Sequence, residues 1–173
     1  RLLDRRYRVS RAAGTIEWED EGVWQHAGFL DAMTIYDLLC CAKDGASLCG
    51  RYSQAENLPG TIHGANPAKG AFDDFAADCD RKPEALHAAC LALGGREIPM
   101  GELSFEIPLF DFLPVMVQFW SSDEEFPPVF KLMWDENVLM FLRFETVCYA
   151  ARFLVMRLQA HMGLWVENTE GHM

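Results

Sequence analysis

Three runs in the second half of the chain decide the fold: LSFEIPLF at Leu103–Phe110, VMVQFW at Val115–Trp120 and VFKLMW at Val129–Trp134. They are rich in β-branched and aromatic residues, which favour β-strands over helices. The segments between them contain proline or acidic residues, as turns do. Short strands at this spacing predict an antiparallel meander.

The segment after the meander has the clearest helical period in the chain. Its apolar residues recur at intervals of three and four, while Arg152 and Arg157 fall on the other side. A sheet with one apolar face and a helix with one apolar stripe cover each other, so we expect this helix to pack across the meander. The apolar stripe consists of Phe144, Val147, Cys148, Ala151, Leu154, Val155 and Leu158.

The first half of the chain contains weaker signals. Tyr7–Ser10 and Thr15–Trp18 are β-prone and flank a glycine, which predicts a hairpin. Asp31–Ala42 reads as a helix that buries Met33 and Leu38, and another helix begins at the Arg81-Lys82-Pro83 start. The predicted fold is therefore α+β: one domain, residues 1–173, with an antiparallel meander covered by about three helices.

The charge balance restricts the partners. The chain of 173 residues has 26 acidic against 15 basic residues and a formal net charge of -11, which repels nucleic acid. Five arginines lie within the first eleven residues, and acidic residues follow them. The simple interpretation is a β-ribbon with cross-strand ion pairs. The alternative is an arginine patch that binds an anionic partner. No apolar run is long enough to cross a membrane and no secretory signal is visible, so we expect a cytoplasmic protein with no membrane partner.

The cysteines do not form a recognisable metal site. Six cysteines lie at positions 40, 41, 49, 79, 90 and 148, without the paired spacing of zinc or iron–sulfur sites. A chain of this length also needs no disulfide framework. We therefore expect reduced thiols and no bound transition metal. Three of the thiols, those of Cys40 or Cys41, Cys90 and Cys148, lie in apolar helix-like contexts, where cysteine packs as a small apolar side chain.

Two other segments supply candidate binding residues. Asp123, Glu124 and Glu125 form an acidic turn after Trp120, between two predicted strands. Adjacent carboxylates at a turn diverge, so a solvated turn is favoured over a cation site. Because Trp120 and Phe126 flank the turn, we also expect at least one of its carboxylates to face inward and hold the helix that carries Arg143 and Glu145. The irregular segment from Cys49 to Gly70 contributes Arg51 and His63, because long irregular connections are often functional.

The acidic turn and its surroundings resemble an uncharacterised prokaryotic family, domain of unknown function thirty-seven eighty-six. The family pattern has Leu-Pro, tryptophan, Asp-Glu-Glu-Phe-Pro, Leu-Phe-Asp and a later glutamate in that order, and this chain has Met-Trp-Asp in place of the Leu-Phe-Asp. The resemblance implies relatives in anaerobic bacteria and archaea, some joined to a four-cysteine iron–sulfur domain of the type seen with corrinoid proteins, and no established activity. It rests on Leu113-Pro114, Phe119-Trp120, Asp123–Pro128, Leu132–Asp135 and Phe144-Glu145.

Three functional hypotheses follow. The first is a cytosolic binding or accessory protein, associated through the family with anaerobic redox or corrinoid-linked metabolism, whose partner is a protein or a small molecule. The second is an enzyme in which Glu145 and the acidic turn act as a carboxylate acid and base, since their surroundings could separate the two pKa values. The third is a pure protein-assembly module. The candidate binding residues are Trp120, Asp123, Glu124, Glu125, Glu145, Arg143, His63 and Arg51, and the sequence identifies no cofactor or catalytic residue.

Overall fold

A computed structural model of the chain describes residues 1–61 and 72–164. A three-stranded antiparallel sheet comes first, and a five-stranded antiparallel sheet in the order β4-β8-β7-β6-β5 forms the centre. The strands are β1 (Tyr7–Ser10), β2 (Thr15–Asp20), β3 (Val23–His26), β4 (Tyr52–Ser53), β5 (Arg96–Glu97), β6 (Leu103–Phe110), β7 (Leu113–Trp120) and β8 (Val129–Asp135). The helices are α1 (Phe29–Cys41), α2 (Asp73–Arg81), α3 (Pro83–Ala92) and α4 (Phe144–His161), with short 3-10 turns at Ala55–Asn57 and Val138–Met140.

The α+β prediction and the meander are confirmed. β6, β7 and β8 pair antiparallel along most of their length, with Phe105 opposite Val117 and Phe119 opposite Phe130. The N-terminal hairpin is also present, with Tyr7 paired to Trp18. The sequence missed three short edge strands, β3, β4 and β5. Strands β4 and β5 have two residues each, which is too short for a pattern to be detected.

Residues 1–61 and 72–164 contain four helices, against the prediction of about three, and the one that the sequence missed is α2. Asp73–Arg81 forms α2, which ends two residues before α3 begins. Its first turn is acidic and its last residue is basic, both favourable against the helix dipole. The Pro83 start that identified α3 separates the two helices, since proline cannot continue a preceding helix.

Helices α2 and α3 contact one face of the central sheet. Phe75 of α2 packs against Phe130, with ring centroids 4.8 Å apart, and His87 of α3 packs against Phe105 at 5.1 Å. α4 contacts α1 and α3, and its Val147 is fully buried. One core cluster of buried residues runs through the meander, α2, α3 and α4.

The inward face of α1 is more polar than predicted, although the predicted Leu38 packs against the core. The helix buries Asp31, Thr34 and Asp37 together with Ile35, while Met33 is only half buried. The opposite side exposes Phe29, Tyr36 and Leu39, at 64%, 53% and 63%. Hydrophobic periodicity places apolar residues inside by default, and here tertiary hydrogen bonds to the two aspartates override it.

Candidate functional site

An open cleft of about 560 Å³ lies where the end of α1 meets the start of α4. Leu139, Leu142 and Phe144 supply its apolar part. Its polar and ionisable lining comprises Cys40, Cys41, Lys43, Arg143 and Glu145. The predicted residues Arg143 and Glu145 are therefore together in one surface depression.

Asp37 joins α1 to α4 beside this cleft. Its Oδ2 accepts a 2.6 Å hydrogen bond from the main-chain N–H of Arg143, and the Arg143 Nε lies 3.4 Å from Oδ1. Burial alone would raise the pKa of Asp37, but the main-chain donor, the Cys41 thiol, the Thr146 hydroxyl and the Arg143 charge together lower it. The Asp37 carboxylate is therefore ionised at neutral pH, and its hydrogen bonds connect α1 to α4.

The Cys41 thiol is unsuited to nucleophilic chemistry. Its hydrogen bond to the Asp37 carboxylate raises its pKa, and partial burial adds to this effect. A thiolate is the reactive form of cysteine, so the neighbouring carboxylate suppresses reactivity. Cys40 is exposed at the rim of the cleft, whereas Cys41 is half-buried.

An apolar surface continues from the cleft along α1. We call it the outer face of α1: Phe29, Met33, Tyr36, Leu39 and Cys40. Phe29 also meets Tyr149 of α4 edge-on, with ring centroids 5.1 Å apart. Because Phe29 begins α1 whereas Asp37 reaches the start of α4, the two helices run antiparallel and their outward residues flank a common seam.

The acidic turn is exposed, so its predicted inward attachment to the helix carrying Arg143 is wrong. Asp123 Oδ1 instead accepts 2.8 Å hydrogen bonds from the main-chain N–H groups of Glu125 and Phe126. Phe126 is 65% exposed and does not draw the turn toward the core. Glu124 and Glu125 are exposed beside it.

The acidic turn and Glu145 lie toward opposite ends of the central sheet. The turn follows Trp120, where β7 ends, whereas Phe141 contacts Phe112 in the loop that precedes β7, at 5.9 Å between centroids. A strand of eight residues such as β7 spans about 25 Å. The carboxylate pair of the enzyme hypothesis is therefore not assembled.

The remaining predicted residues occupy separate places. Trp120 has the Lys131 ammonium 5.3 Å from its ring centroid, and Gly101 approaches the edge of its indole. Arg51 donates a 2.9 Å hydrogen bond to Glu136 and is exposed. His63 lies outside the described residues.

The N-terminal arginines follow the simple interpretation. Arg6 pairs with Glu19 and Arg8 with Glu17, each at 2.8 Å across the β1–β2 ladder. Arg5 turns inward, with its guanidinium 3.7 Å from the centroid of the Trp18 ring. Most arginines of this ribbon therefore have partners within the protein.

Sequence reasoning missed Asp37 and the outer face of α1, although a signal was present. Asp31, Thr34 and Asp37 recur at intervals of three, and Phe29, Met33, Tyr36 and Cys40 at intervals of four and three. Both are single helical stripes. The pattern defines the two faces but not which one turns inward.

Neither a metal site nor a membrane span is found in the part of the chain that the structure describes. No group of three or more His, Cys, Asp or Glu side chains there is arranged to hold a metal ion. No helix in residues 1–61 and 72–164 is both long enough and apolar enough to cross a bilayer.

Comparison with known proteins gives one match. The model of a family described as Domain of unknown function (DUF3786) matches residues 1–157. This range includes the N-terminal ribbon and α1, well beyond the motifs around the acidic turn. No curated protein and no solved structure matches the chain.

Proposed function

We propose, for a chain that belongs to the DUF3786 family, a role as a cytoplasmic accessory protein that binds another protein through the outer face of α1. The observation that carries this proposal is the grouped exposure of large apolar side chains on α1. Three large apolar side chains of that helix are more than half exposed, while its two aspartates are buried. Grouped apolar exposure of this kind marks interaction surfaces more often than scattered exposure does.

The occupant that fits this surface is an amphipathic helix. α1 has 13 residues and is therefore about 20 Å long. α4 lies antiparallel beside it, so the seam between them forms a groove of the kind into which a third helix packs. The cleft at the end of the seam offers a recess for one large apolar side chain, between Leu139, Leu142 and Phe144.

Charge favours a different protein over a second copy. The exposed side of α1 carries no charged residue, because Asp31 and Asp37 are both buried. Two copies would each bring a net charge of -11 to the interface, and the long-range repulsion would oppose their association. A neutral or basic partner avoids this cost.

Site-specific photo-crosslinking tests the proposal. A benzophenone amino acid placed at Tyr36 or Leu39 and irradiated in the native cells is expected to give one discrete adduct with another protein, identified by mass spectrometry. The same probe at Leu91, which is 51% exposed on α3, serves as the control. Introducing Leu39→Glu into the Tyr36 probe variant should abolish the adduct without unfolding the chain. An adduct of twice the chain mass, or adducts equally strong from Leu91, would refute the proposal.

The enzyme hypothesis has less support, since Glu145 and the acidic turn are apart and Cys41 is held protonated. The link to anaerobic redox or corrinoid-linked metabolism, which came only from the family resemblance, stays a prediction. Identifying the crosslinked partner would test this link directly.

A further inference from the structure

Strand β3 is an edge of the three-stranded sheet, and in the part of the chain that the structure describes only β2 pairs with it. The main-chain N–H of Ala27 donates to the Ile16 carbonyl at 2.9 Å, which fixes the alternation of peptide groups along β3. The N–H and C=O groups of Gln25 therefore face β2, whereas those of Trp24 and His26 face away from it. These outward groups form a short template on which another strand can pair.

β3 lacks the features that usually prevent edge strands from pairing. Its sequence, Val-Trp-Gln-His, contains no proline and no Lys, Arg, Asp or Glu. The other sheet edges are protected, since β4 and β5 have two residues each, β5 is Arg96-Glu97 and β1 contains Arg8. A two-residue turn, Glu21-Gly22 with both φ angles positive, holds β3 in register with β2. β3 is therefore a preformed edge that is open to pairing.

The side chains of β3 are accessible to a partner. Val23 is 58% exposed, and Gln25 and His26 are exposed as well. The Trp24 ring is half-buried, with the Arg8 guanidinium 4.5 Å from its centroid. This contact holds the Trp24 ring on the surface before any partner arrives.

The local charge permits a second copy of the chain at β3. Residues 1–28 contain five arginines and five acidic side chains, so the net charge of -11 comes entirely from the rest of the chain, which includes α1. At physiological ionic strength, exposed charges separated by more than about 8 Å are largely screened from each other. Two copies can therefore approach each other through this neutral ribbon without the repulsion that opposes their contact elsewhere.

We propose that two copies of the chain associate antiparallel through β3, about a two-fold axis at Gln25. The register that uses all the outward peptide groups pairs Trp24 with His26 of the second copy, and by symmetry His26 with Trp24. Gln25 then lies opposite its own counterpart, where the two amides can each donate and accept a hydrogen bond. The Trp24 ring meets the imidazole across the strands, a cross-strand pair that stabilises sheets. The contact is small, so the dimer is reversible.

A charge exchange at Gln25 tests this arrangement by sedimentation equilibrium of the full chain. From about 10 µM to 1 mM, where weak contacts dissociate, we expect a monomer–dimer equilibrium. Gln25→Lys and Gln25→Glu should each weaken the dimer at least tenfold, because like charges meet at the axis. An equimolar mixture of the two variants should restore it, because opposite charges then meet. The same exchange at Val9, exposed on the opposite edge strand β1, is the matched control and should leave the equilibrium unchanged.

His26→Pro provides a second variant, since proline removes an outward N–H and leaves the pairing with β2 intact. It should weaken the dimer with little change in Tm.

Three results would overturn the proposal. They are a chain that stays monomeric at every concentration, a dimer that is indifferent to the charge at Gln25, and a dimer that is lost in Leu39→Glu but kept in His26→Pro. The last result would place the contact at the outer face of α1. Failure of the crosslinking at Tyr36 and Leu39 would not affect these measurements, so the two proposals are tested independently.

Discussion

The Asp37 carboxylate of α1 accepts a 2.6 Å hydrogen bond from the main-chain N–H of Arg143, the residue that precedes α4. No side chain of α4 caps this helix from within. The first N–H groups of a helix need acceptors, and the N-terminal end of the helix dipole favours a negative charge. Asp37 therefore serves as an N-cap supplied by a different helix, which explains why α1 turns a charged residue inward.

Removing this cap should destabilise the protein. We expect Asp37→Ala to lower the free energy of unfolding by about 2–3 kcal/mol, because the Arg143 N–H, the Cys41 thiol and the Thr146 hydroxyl lose their charged acceptor. Asp44→Ala, at an exposed position soon after α1, is the control and should change stability by less than about 0.5 kcal/mol. Urea denaturation of the three proteins measures the difference. Equal midpoints for Asp37→Ala and the parent would mean that the cap contributes nothing.

Acid should release the N-terminal segment from α4. Asp4 accepts hydrogen bonds from Arg157 at 2.8 Å and lies 2.9 Å from His161 Nε2. Burial by itself would raise the pKa of Asp4, but these two partners lower it below its ordinary value of 3.8. The stability it contributes is complete above the unfolded pKa and is lost as the pH falls through the lower folded pKa.

The variant Asp4→Asn tests this linkage. It should be less stable than the parent at neutral pH, and the gap should narrow as the pH falls below about 4. Thermal melts from pH 7 to pH 2.5 follow the gap. Asp31 provides a contrast, because burial raises its pKa and its ionisation opposes folding as the pH rises. A gap that stayed constant over the whole range would exclude a role for the Asp4 charge.

The thiols should react in the order of their exposure and pKa. Cys40 is exposed, whereas burial raises the pKa of Cys79 and of Cys90 to about 12. Iodoacetamide at neutral pH should therefore modify Cys40 first and leave Cys79 and Cys90 intact until the chain unfolds. Peptide mapping by mass spectrometry reports each site, and Cys40→Ser should remove the fast phase. Early labelling of Cys90 would indicate that α3 opens locally.

The sequence predicted the central strands and α4 better than the exposed and buried faces of α1. The alternation in Leu103–Phe110 and the apolar period after Phe144 follow from core packing, which periodicity records directly. Periodicity did not predict the inward face of α1, because Asp37 is bound by a residue more than a hundred positions away and no local sequence pattern records that contact.

The last prediction concerns the acidic turn. We expect its three carboxylates to contribute differently to the free energy of unfolding. Asp123 accepts two main-chain hydrogen bonds within the turn, and its own N–H donates to the Phe126 carbonyl at 3.0 Å. Asp123→Ala should therefore cost about 0.5–1.5 kcal/mol, the usual value of hydrogen bonds in a partly exposed setting.

Glu124→Ala and Glu125→Ala are the matched controls, because both side chains are exposed at the same turn. Each should stay within about 0.5 kcal/mol of the parent in thermal melting. Asp123→Asn separates the two contributions of the carboxylate, since its amide oxygen can still accept the N–H groups of Glu125 and Phe126 while the charge is lost. Recovery of most of the lost stability in Asp123→Asn is expected if the turn geometry matters more than the charge. A large loss for Glu124→Ala or Glu125→Ala would instead show that these carboxylates have structural partners of their own.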